Sequence, residues 1–122
     1  MSMGLSLGLG LGIGSNHSTP PASVPDLICG AIHSRHEISA THKGNAFVLS
    51  PHIVYWKAGQ PDVFWLDAVV VSENGNPASK PKLDGFKLTD LAGLSVLEAV
   101  FEPHVGFKSD SPQYTGKTRC VL

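Results

Sequence analysis

The sequence predicts a small, mainly β (α+β) domain: one short N-terminal helix followed by a strongly curved sheet or barrel of about five short strands. Three observations carry this. Nine prolines and thirteen glycines in 122 residues break the chain into short elements. One segment only has apolar residues at helical spacing, and it comes first. The rest alternates or runs apolar over four to nine residues between turn signals.

The elements follow in order from Ser23. Ser23 is a candidate helix cap, with Pro25 in the first turn and Asp26 well placed at the positive end of the helix dipole. Leu27, Ile28, Ala31 and Ile32 then share a face, and the helix should end near Arg35 or His36. Glu37–His42 is a strand closed by the turn Lys43-Gly44-Asn45. Ala46–Leu49 is a second, stopped by Ser50-Pro51, and His52–Trp56 resumes it. After the turn at 57–62, Val63–Val71 (VFWLDAVVV) is the most strand-like run, with one charge in nine residues. Residues 73–81 are a polar loop around Asn74-Gly75. Leu83–Leu88 alternates again, Leu91, Leu94, Val96 and Leu97 continue the core, 101–112 is loop-like, and Lys117–Leu122 closes the sheet. Leu66, Val70 and Leu88 are expected in the core.

Residues 1–22 stand apart. No Asp, Glu, Lys or Arg occurs before Asp26, and residues 4–14 read GLSLGLGLGIG, Gly or Ser alternating with Leu or Ile. Gly at every second place leaves such a strand without a second face. The segment reads as a flexible arm with a linker at 15–22, ahead of a domain at 23–122. As an interaction arm it would use Leu5, Leu7, Leu9, Leu11 and Ile13 against a protein partner or a second copy. A secretory signal fits less well, since no basic residue precedes the apolar run. No stretch approaches the ~20 apolar residues of a membrane span, so no membrane partner is expected.

Composition bounds the function. Nine basic residues against ten acidic give a net charge of −1, which excludes coating nucleic acid by charge alone. Six histidines include His33, His36, His42 and His52, yet no metal-binding spacing appears, and no metal or cofactor is expected. Asp67 lies inside the apolar strand without a catalytic partner set, and Ser50, Ser72 and Ser95 lie in no nucleophile motif. No catalytic residue is assigned, and Asp67 is expected to face solvent or to bond backbone groups. Cys29 and Cys120 could pair in a secreted chain, but are expected as two reduced thiols of a cytoplasmic one. Tyr55, Trp56, Phe64, Trp65 and Phe86 form either a core or a platform for stacked bases, and adjacent pairs must point to opposite faces of their strands.

From Leu27 to Leu122 the order of segments resembles the WYL domain family in its stand-alone form. Phe64-Trp65-Leu66 matches the name motif. Ile28-Cys29, Ala31-Ile32, Arg35 and Ile38 resemble the opening helix and first strand, and Gly44 with Ser50-Pro51-His52 resembles the next turn and strand-ending proline. Phe86-Lys87-Leu88 with Leu91 and Leu94, then Phe101-Glu102-Pro103, resemble the closing segments. The resemblance implies a Sm-like barrel and a regulatory, non-enzymatic role, sensing a ligand such as a nucleotide or single-stranded nucleic acid through a basic and aromatic surface. It departs at Phe47, Asp84 and Asp90, where the family carries basic residues. Of the family's basic pattern Lys87 and Arg35 remain, and with Trp56, Lys57 and Trp65 of the aromatic platform they are the expected binding residues. The alternative is an assembly protein, phage-borne and virion-associated, that docks through its Gly-Leu arm.

Overall fold

The computed structural model describes residues 23–122. Helix α1 spans Val24–Ser34. The strands are β1 (His36–His42), β2 (Asn45–Lys57), β3 (Gln60–Glu73), β4 (Asn76–Pro77), β5 (Leu83–Lys87), β6 (Leu91–Val100) and β7 (Thr118–Val121), with a 3-10 turn at Leu88–Asp90. They form one antiparallel sheet in the order β4-β3-β2-β1-β6, with β5 also on β3 and β7 also on β2. The sheet curls strongly into a half-barrel. The expected class therefore holds. The strand count is higher because residues 73–81 contain the two-residue strand β4 and Leu91–Val100 forms a full strand, β6.

The helix forms where its caps dictate. The Ser23 hydroxyl accepts from the Asp26 N–H, proline stands in the first turn, and Asp26 faces the dipole. It stops at Arg35, whose left-handed backbone (φ 59°) lets its N–H reach back to the Ala31 and Ile32 carbonyls. Ile28, Ala31 and Ile32 are buried against Ile38, Leu49, Val54, Leu66 and Ala68 of the sheet. Leu66 and Leu88 are core residues, whereas Val70 is only half-buried at its margin.

Two tight hairpins set the register. Lys43-Gly44 and Asn74-Gly75 both adopt positive φ, as two-residue hairpin loops require. Asn74 also ties two strands together: its Oδ1 accepts from the Ala46 N–H and its Nδ2 donates to Asn45 Oδ1.

Pro51 does not stop its strand. β2 runs unbroken from Asn45 to Lys57, with an irregularity between Pro51 and Ile53. On one flank β2 pairs with β3 throughout, Pro51 opposite Ala68. On the other flank β1 pairs with residues 45–49 and β7 with residues 53–55. Pro51 stands at the irregularity in the β2–β3 pairing, a place where a sheet admits proline. The Ser50 carbonyl accepts from the His52 ring, and the His52 carbonyl accepts from the Leu122 N–H.

Cys29 and Cys120 are joined, contrary to the expectation of two free thiols. Their Cα atoms stand 5.8 Å apart, in the usual range for a bridge. The reason is packing: α1 lies against β7, and Arg119 of β7 binds Asp26 in the first helical turn at 2.6 Å. A sequence separation of 91 between the cysteines concealed this closeness.

Candidate functional site

The two faces of the sheet differ in what covers them. Val54 and Leu66 point to α1, together with Phe86 of β5 and Cys120 of β7. The adjacent residues, Ile53, Tyr55 and Trp65, point to the other face, where residues 101–117 cover part of the sheet through Phe107 and Tyr114. This covered face holds the most developed polar arrangement.

Asp67 sits at its centre. It is buried, and neither faces solvent nor bonds backbone groups as expected. Tyr55 Oη donates to its Oδ1 at 2.8 Å and Tyr114 Oη donates to its Oδ2 at 2.5 Å. The two rings meet edge to face at 5.0 Å. Burial, the hydrogen bond to Asp67 and its charge raise both phenols above the ordinary range, Tyr114 to about 12. Gly85 stands opposite Asp67, and a Cβ there would lie 3.2 Å from Asp67 Oδ1, so a side chain at this place would press on the network. Both phenols thus donate to the one buried carboxyl group. It braces the covering segment against the sheet.

His52 is the second brace. Its Nδ1 stands 2.8 Å from the Ser50 carbonyl, and its Nε2 stands 2.9 Å from the His104 backbone nitrogen. A carbonyl can only accept and a backbone N–H can only donate, so the ring is neutral with its proton on Nδ1. Its ring centroid lies 5.3 Å from that of Phe101 and 5.1 Å from that of Phe107. Burial lowers its pKa, with His104 adding to the effect and the Ser50 carbonyl opposing it.

The five binding residues expected from sequence fall into separate places. Trp65, Lys57 and Lys87 come together on the covered face, at its uncovered end. Lys57 Nζ stands 3.9 Å from the centroid of the Trp65 ring, and Trp65 and Lys87 are direct partners across β3 and β5. Trp56 points to the opposite face, where it meets Phe64 edge to face at 6.3 Å. Arg35 caps the helix through its backbone N–H and stands just before β1, two strands from the β3 that carries Trp65. The acid expected beside Lys87 is also elsewhere: Asp84 alternates to the other face and lies 3.9 Å from Lys82. Arg119, which drew no attention in the sequence, packs over Phe64 but is neutralised by Asp26.

Two hollows bear on binding. One of about 300 Å³ opens beside Lys57, between Tyr55, Ala58, Gln113 and Lys117. A wider groove of about 530 Å³ is floored by Phe47 and Phe86. Lys80 and Lys82 on its rim face Glu73 and Asp84, so its charges cancel. Among the described residues no group of histidines, cysteines and acids could hold a metal, and His33, His36, His42 and His52 do not converge. Leu5, Leu7, Leu9, Leu11 and Ile13 lie outside the described residues.

No family model, no curated protein and no solved structure matches this chain.

Proposed function

We propose that this is a non-enzymatic binding module of WYL-like type, taking a nucleotide or single-stranded nucleic acid at the exposed end of the face that carries Trp65. The observation behind this reading is the placement of Lys57 on the Trp65 ring with Lys87 directly across the ladder. A base needs an aromatic face and its phosphate needs converging cations. Lys57 supplies both by one movement. Its contact with the ring is worth about 0.5–1 kcal/mol at an exposed site, so a phosphate can draw the ammonium away and free the ring for stacking. Lys117, across the hollow beside Lys57, adds a third cation to the same end. The wider groove at Phe86 lacks this bias, because its lysines face two acids.

The test is an anisotropy titration of labelled single-stranded DNA at low salt, alongside Lys57→Ala/Lys87→Ala. With a net charge of −1, the affinity should stay within roughly the non-specific range, about 10⁻⁴–10⁻⁶ M at physiological salt. The double variant should bind more weakly. Absence of binding by the unchanged chain, or equal binding by the variant, would remove this reading.

A further inference from the structure

β6 ends the strand order, so its outer edge is unpaired among the described residues. It is ten residues long, carries no lysine or proline and one charge, Glu98, between Val96 and Val100, and its pairing with β1 shifts register between His36 and Ile38 and between Ser39 and Thr41. Val96 stands opposite the buried core residue Ile38, yet is 44% exposed, and Val100 is 64% exposed. Beside them lies the free flank of α1. The disulfide fixes the Cys29 flank toward β7, and Leu27, two residues earlier and so about 200° around the helix, lies on the other side. Leu27 and Val24 are exposed there. An open backbone edge therefore borders an apolar strip that continues the core.

We propose that this edge is the docking site of the chain's own residues 4–13, added to the sheet as a further strand. Three features select this occupant. The segment has ten residues, the length of β6. Its period of two places Leu5, Leu7, Leu9, Leu11 and Ile13 on one face, toward Val96, Val100 and Leu27, and Gly or Ser on the other. It is tethered close by: residues 14–22 span up to about 30 Å when extended. α1 is about 16 Å long, and its far end bonds the residue after β6, Phe101 N–H to the Arg35 carbonyl at 3.0 Å. The tether thus reaches the edge of the same molecule, and a tethered strand competes at millimolar effective concentration against any second copy. The proposal is independent of the nucleic-acid reading, because Trp65 and Lys57 lie on other strands.

The test is amide hydrogen exchange, residue by residue, on the full chain, on Leu7→Asp/Leu9→Asp/Leu11→Asp and on Gly8→Pro/Gly10→Pro, with mass measured by light scattering. In the unchanged chain the amides of β6 that do not bond β1 should be protected, and the protein should be monomeric. Either variant should speed their exchange by about tenfold or more while leaving Val54 and Leu66 protected. The second variant keeps every apolar side chain and reads the backbone pairing alone. Fast exchange along β6 in the unchanged chain would overturn the proposal, as would protection that both variants leave intact. Protection that appears only where a dimer forms would also overturn it, and would assign the edge to a second copy.

Discussion

Tyr114 and Asp67 lie 47 residues apart in sequence and meet at 2.5 Å beneath the segment that follows β6. Tyr55 reaches the same carboxyl group from β2, so one acid joins the middle of the sheet to the chain that covers it. These two tyrosines are the only ones in the sequence, which makes the network visible by spectroscopy.

Alkaline titration should show no phenolate absorbance near pH 10, where an unfolded tyrosine ionises. Both folded-state values are raised, Tyr114 to about 12. The protonated phenols therefore contribute stability that is complete below pH 10 and declines as pH rises from there through the folded values. Phenolate absorbance and loss of folded structure should appear together. Ionisation of a folded chain near pH 10 would contradict the network.

Tyr114→Phe removes one donor and leaves Asp67 Oδ2 buried without that bond. The expected loss is about 1.5–3 kcal/mol, the range for a hydrogen bond to a charged group. Urea denaturation followed by tryptophan fluorescence measures it. A loss below about 0.5 kcal/mol would place Asp67 in contact with water.

His52 makes the fold acid-sensitive. Its folded pKa lies below 6.5, so the neutral ring contributes stability that is complete above the unfolded value and is lost as pH falls from 6.5 through the folded value. A proton on Nε2 would meet the His104 N–H donor. Thermal melting from pH 7 to pH 5 should show a falling midpoint. His52→Gln, which keeps polar atoms without titrating there, should flatten the dependence.

The bridge between Cys29 and Cys120 closes a long loop. Chain-entropy arguments for a loop of this length give about 4–5 kcal/mol. The unreduced, unfolded protein should take up no alkylating label, and after reduction it should take up two, one per cysteine in the sequence. The reduced chain should unfold at markedly lower denaturant.

Local signals in the sequence were enough for the helix, its caps, the Gly-containing turns and the strand runs, because each depends on neighbouring residues. Ser23, Arg35, Lys43-Gly44 and Asn74-Gly75 all act where their chemistry predicts. Period-two alternation also foretold that Tyr55 and Trp56 would part, and Phe64 and Trp65 with them. It separated Asp84 from Lys87 in the same way, a consequence that reading charges along one strip overlooked. What sequence did not disclose was contact across distance: Cys29 with Cys120, Asp67 with Tyr114, His52 with His104. No local pattern encodes which residue of a loop returns to which strand. Pro51 misled for a related reason, since the irregularity that admits a proline arises in pairing with another strand.

The triplet Ser50-Pro51-His52 closes off its own break in the ladder. One residue has no donor to offer, and the ring of the next takes up a carbonyl. The half-barrel is therefore two half-sheets hung on the common spine of β2 and β3, with a seam between β1 and β7. Acid or reductant acts on one half only, the one that holds β7 and the segment before it. Under mild acid or reduction that half should peel away first, leaving the β6–β1 ladder zipped.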